Sequence, residues 1–66
     1  MNIILNGKKK FIVDKLSLAE LVKNVCQETD HVIVELNGKI IKRQQWHKLL
    51  LSDGDVLEFV TIVGGG

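Results

Sequence analysis

The chain closes on Val63-Gly64-Gly65-Gly66, and this ending holds the most reactive arrangement in the sequence. Glycine has no Cβ and adopts backbone angles that other residues avoid, so three in succession can thread a channel too narrow for side chains. Extended at ~3.3 Å per residue, they reach roughly 10 Å and carry the α-carboxyl of Gly66 clear of the residues before them. With a reference pKa of ~3.5, that carboxyl is ionised at neutral pH and is able to attack the α-phosphorus of ATP, giving a carboxyl adenylate. The plainer alternative is a disordered end or a cloning remnant, because termini are commonly mobile; a glycine tail has few contacts to offset its ordering entropy and should be mobile on either reading.

The other side chains that carry chemistry are isolated. Cys26, His31 and His47 lack the ligand number and paired spacing of a zinc site. Neither histidine has a nucleophile with an orienting acid, so catalysis by this chain is not expected. Cys26 falls beside an apolar stripe and reads as a small buried hydrophobe. Trp46 has no second aromatic for a stacking platform and reads as a cover over the core, while Phe11 and Phe59 read as core. Lys8, Lys9, Lys10, Lys42 and Arg43 are the basic clustering; they suit a solvated turn or a guarded sheet edge, or else steering toward an acidic partner.

Nine basic and eight acidic residues leave a net charge of +1, without the electrostatic footprint of a nucleic-acid binder. No apolar run approaches the ~18 residues of a membrane span, and no apolar N-terminal stretch follows a basic flank. With a lone cysteine, the expectation is a reduced cytoplasmic protein that binds neither nucleic acid nor membrane. Its 66 residues allow one domain, 1–63, followed by a glycine tail, 64–66.

The elements that must hold such a tail are punctuated by turn residues. Asn2 to Leu5 and Lys9 to Val13 flank Asn6-Gly7, a dipeptide suited to a tight hairpin. Ser17 stands three residues before Glu20, the spacing of a capping box, with Leu16 and Leu21 at staple positions. Leu18, Leu21, Val22 and Val25 then recur at helical spacing, predicting a helix that fades near Glu28. His31 to Leu36 and Lys39 to Ile41 flank Asn37-Gly38 as a second hairpin. Arg43 to His47 suits one helical turn, Leu49 to Leu51 a brief strand, and Ser52 to Asp55 a turn before Val56 to Val63, the longest β-compatible run. These elements predict an α+β architecture with one helix across one face of the sheet, burying Leu5, Phe11, Leu21, Val25, Val34, Leu57 and Phe59. Side chains alternate along strands, so Glu58, Glu35 and Asn2 place Val60 and Ile62, Ile33, and Ile4 on the uncovered face. Together these four could form a docking patch; the alternative is scattered surface aliphatics.

The ending Val63-Gly64-Gly65-Gly66, the preceding Asp53-Gly54-Asp55-Val56-Leu57-Glu58, the Leu36-Asn37-Gly38-Lys39 turn and Ile41-Lys42-Arg43 leading to Trp46 resemble the sulfur carrier of bacterial thiamine biosynthesis over nearly the whole chain. The resemblance implies a ubiquitin-like β-grasp fold, with the first and last strands parallel at the centre of a mixed sheet. It further implies that an E1-like adenylyltransferase uses ATP and magnesium to adenylate Gly66, that a sulfur-donor enzyme replaces AMP, and that the thiocarboxylate delivers sulfur to thiazole synthase. This chain itself would bind no cofactor. Gly66 would bear the reacting carboxyl and Gly65 the close approach, with Gly64 at a position where relatives vary. Chemically, the adenylate opens the carbonyl to sulfide or persulfide, and the product keeps a reactive sulfur tethered. Three other readings share these features: the small subunit of molybdopterin synthase, which resembles a longer chain with prolines before its glycines; a ubiquitin-like modifier of lysines; and a β-grasp interaction module without chemistry.

Overall fold

The computed structural model describes residues 1–62; Val63 and the three glycines lie outside the described residues. Its elements are strands β1 (Asn2–Leu5) and β2 (Lys8–Phe11), helix α1 (Leu18–Val25), strands β3 (Val32–Leu36) and β4 (Lys39–Ile41), a 3-10 turn (Arg43–Gln45) and strand β5 (Val56–Thr61). The five strands form one mixed sheet in the order β2-β1-β5-β3-β4, with β5 central and parallel to its neighbour β1. This is the α+β, ubiquitin-like β-grasp arrangement.

Helix α1 starts where Ser17 and Glu20 require it to. Glu20 N–H donates to Ser17 Oγ at 3.1 Å and Ser17 N–H to Glu20 Oε1 at 3.3 Å, satisfying two donors that the first turn leaves without partners. The flanking Leu16 and Leu21 are both buried. Leu49–Leu51 locks this entrance from outside: Leu18 N–H donates to Leu49 O and Leu51 N–H to Leu16 O, a single bridge where a brief strand was expected. Ser17→Ala removes the hydroxyl and leaves the Glu20 amide unpartnered in a part-buried site. It should cost ~1 kcal/mol and lower the melting temperature by roughly 4–8 °C, read by circular dichroism; an unchanged melt would show that the cap contributes nothing.

The helix lays Leu18, Leu21 and Val22 on a core that includes Ile3, Val32, Val34 and Leu57. Burying such side chains contributes about 1.5–3 kcal/mol each. Leu5 and Phe59 pack against this core but are only half-buried. Two residues expected inside are not. Phe11 is 74% exposed because β2 pairs with β1 in the register Asn2↔Phe11, which puts it on the solvent face of Asn2; Ile12 fills the core instead. Val25 is 41% exposed because the helix stops on it, short of Glu28, and the chain turns extended at Cys26. Cys26 is half-buried beside the core, and Trp46 covers it at 6% exposure with Nε1 donating to Ile41 O at 3.0 Å.

Candidate functional site

Strand β5 leads toward the glycine tail, and its placement is over-determined. At its entry Asn2 N–H donates to Asp53 Oδ1 at 2.8 Å, Gly54 N–H to Asn2 O at 2.8 Å, and Ser52 N–H to Asp55 Oδ2 at 2.7 Å. Gly54 takes φ +88°, an angle that side-chain-bearing residues rarely adopt. Both hairpin asparagines then reach into the centre of the sheet. Asn6 and Asn37 each sit at φ 51°, as the first residue of a two-residue loop requires. Asn37 Oδ1 accepts from Val56 N–H at 2.9 Å, and Asn37 Nδ2 donates to Asp55 Oδ1 at 3.1 Å. On the other side of the strand, Asn6 Oδ1 accepts from Phe59 N–H at 2.8 Å, continuing the parallel ladder past the end of β1. Sequence reasoning read Asn6 and Asn37 as turn formers and missed this second use. The signal was their position, each one residue beyond a strand that borders β5.

The uncovered face of β5 carries the expected patch, enlarged. Ile33 pairs with Val60, both exposed, and Ile62 is exposed one alternation further along; Ile4 is half-buried between its neighbours. The same register adds Val56, opposite Ile4, and Ile40, opposite Glu35, at 46% and 70% exposure. Within this aliphatic field Glu35 and Glu58 stand directly opposite each other. Like charges so placed repel across the strands.

The basic residues do not converge. Lys8, Lys9 and Lys10 occupy edge strand β2, whereas Lys42 and Arg43 follow β4 at the opposite edge, so the single steering cluster is not formed. Lysines on β2 instead suit an edge that must not pair with another chain. The Arg43 guanidinium lies 5.2 Å from the Trp46 ring centroid and donates to Thr29 O, to Thr29 Oγ1 at 3.0 Å and to Asp30 Oδ1 at 3.3 Å. It fastens the loop after the helix, which is a structural task. His31 and His47 are exposed and lie on different segments, and among the described residues no group of three or more His, Cys, Asp and Glu could hold a metal ion. Among the described residues no helix is long and apolar enough to cross a membrane. The expected roles of Gly64, Gly65 and Gly66 fall outside the described residues.

Comparison with known proteins extends the account to the tail. Residues 3–66 match the model of the ThiS family. The sulfur carrier protein ThiS of Bacillus subtilis (strain 168) is 41% identical over 63 residues, covering 94% of this chain and 96% of that protein. A thiazole synthase of Paramagnetospirillum magneticum is 27% identical over 66 residues, which are all of this chain and 20% of that protein. The crystal structure of the thiamine biosynthesis protein ThiS from Geobacter metallireducens superposes with a TM-score of 0.84 at 36% identity, over 100% of both chains.

Proposed function

The chain belongs to the ThiS family of sulfur carriers in thiamine biosynthesis, and from that membership we propose that its reacting group is the carboxyl of Gly66. The observation that carries this reading is the span of the family match, which runs through the three terminal glycines to residue 66. In the proposed sequence an E1-like adenylyltransferase, using ATP and magnesium, joins a carboxylate oxygen of Gly66 to the α-phosphorus and expels pyrophosphate. Sulfide then adds to the carbonyl and AMP leaves, giving the thiocarboxylate. If a sulfur-donor enzyme supplies a persulfide, the first product is an acyl disulfide, and a thiol must reduce it to release the same thiocarboxylate. The sulfur is finally transferred to the thiazole assembled by thiazole synthase. The catalysts are the partners, and this chain is their protein substrate.

The fold suits such a part. The strand before the tail is held from both sides by Asn6 and Asn37, which fixes β5 within the sheet. Gly65 and Gly64 give the partner a backbone without side chains to enclose. Incubation with the activating enzyme, ATP, magnesium and a sulfur source should raise the intact mass by the difference between sulfur and oxygen. A protein that never gains that mass, with an activating enzyme competent on its own carrier, refutes the proposal.

Docking is assigned to the outward face formed by Val60, Ile62, Ile33 and Ile4. Val60→Asp or Ile62→Asp puts a charge into an interface core but only into water in the free protein. Either should weaken binding to the activating enzyme or to thiazole synthase by about tenfold or more while the melting curve hardly moves. Isothermal titration with each partner reads this directly, and unchanged affinity for both would return these aliphatics to ordinary surface.

A further inference from the structure

The outward face has a charge arrangement that apolar docking leaves unexplained. Glu35 and Glu58 are exposed, sit opposite each other on β3 and β5, and take part in neither of the ion pairs formed among the described residues. Val56 and Val60 stand two residues either side of Glu58 on its own strand, Ile33 stands two residues from Glu35, and Ile40 lies across from Glu35 on β4. Two carboxylates thus sit within a ring of four aliphatic side chains, all exposed. Covering the ring with an apolar surface alone would strip water from both charges, at a cost that rises steeply without a counter-charge. Seating a second copy symmetrically over it would bring four carboxylates together.

We infer that this face is completed by a guanidinium of thiazole synthase, standing in an aliphatic field and bridging Glu35 and Glu58; the inference rests on the reading of this face as a docking surface. A planar fork with several fixed donors matches two neighbouring carboxylates better than an ammonium does, and it is less strongly hydrated when the interface closes. Thiazole synthase is the partner indicated because a relative of that name carries, within one polypeptide, a segment matching this entire chain. The unfavourable pairing of like charges in the free protein becomes an asset on binding, since only a partner offering the cation relieves it.

The test uses the full-length chain with Glu35→Gln and Glu58→Gln, singly and together, against purified thiazole synthase from the same organism. Glutamine keeps the shape and removes the charge. The double variant should bind at least ~10-fold more weakly, and its affinity should depend less on salt than that of the unaltered chain. Its melting temperature should stay level or rise, because the cross-strand repulsion is gone. Unchanged affinity and salt dependence in the double variant, with binding lost in Val60→Asp, would overturn the guanidinium contact and leave the docking face standing. Unchanged affinity of both variants for thiazole synthase would overturn the docking of thiazole synthase on this face. A loss confined to the activating enzyme would overturn the assignment to thiazole synthase.

Discussion

Adding one alanine after Gly66 should abolish sulfur acceptance, with no thiocarboxylate found by intact mass under conditions that convert the unaltered chain. The extension moves the carboxyl by one residue, ~3.5 Å, and sets a methyl where the proposed channel admits only hydrogen. Deleting Gly66 is the complementary change. It keeps a glycine carboxylate of the same chemistry but withdraws it by the same distance, and in-line attack on phosphorus tolerates misplacement of only about 0.5 Å. Rates for both variants should fall by a factor of 100 or more, on the order of the loss expected from an ångström-scale misplacement. Both globules should fold as before, which circular dichroism checks, because neither change touches the residues that form the sheet. Comparable sulfur acceptance by either variant would remove the position of the Gly66 carboxyl from the mechanism.

The second large effect is on the fold. Leu57 is fully buried on the central strand, paired with Leu5 on β1 and with Leu36 on β3. Leu57→Ala removes three carbons from the middle of the core and leaves a void that the sheet cannot close without parting strands on both sides. The expected cost is ~3–5 kcal/mol. A core in a chain this short rarely supplies more than ~3–5 kcal/mol in net stability, so the variant should be largely unfolded at 37 °C. Urea denaturation followed by Trp46 fluorescence measures it, and a loss below ~1 kcal/mol would show that the central strand does not govern stability.

Features that depend on neighbours in sequence were readable in advance. The capping box needs only Ser17 and Glu20 at their spacing, and the two Asn-Gly hairpins need only the dipeptide between apolar runs. The outward direction of Ile33, Val60 and Ile62 followed from the parity of Glu35 and Glu58. The same rule, carried two residues back from Glu58 and across the two-residue loop, would have added Val56 and Ile40. On β2 the run Lys8-Lys9-Lys10 shows no alternation to mark the inward side, and only the two-residue Asn6-Gly7 loop, counted back to put Phe11 opposite Asn2, would have moved Phe11 outward and Ile12 into the core. The side-chain bonds of Asn6 and Asn37 to β5 were invisible for another reason. They join residues 53 and 19 positions apart, and no local pattern encodes a long-range partner. The central, parallel placement of β5 came from the resemblance to a family, since periodicity describes strands but not their order.

That order also governs when the molecule can exist. The hairpin of β1 and β2 and the hairpin of β3 and β4 share no edge, because β5 alone lies between them. A nascent chain emerges from its N-terminus, so both hairpins are made while the strand that unites them is still missing. Isolated two-stranded ribbons are marginal in water, and the helix has no complete surface to cover until Leu57 arrives. Folding is therefore deferred until β5 has been made, and a chain cut short before Val56 has no native state to reach. Cellular proteases that clear unfolded polypeptides will remove such fragments. The pool that survives this sorting consists of chains that have the central strand, so the partners that read the globule meet few decoys lacking the segment that precedes the tail.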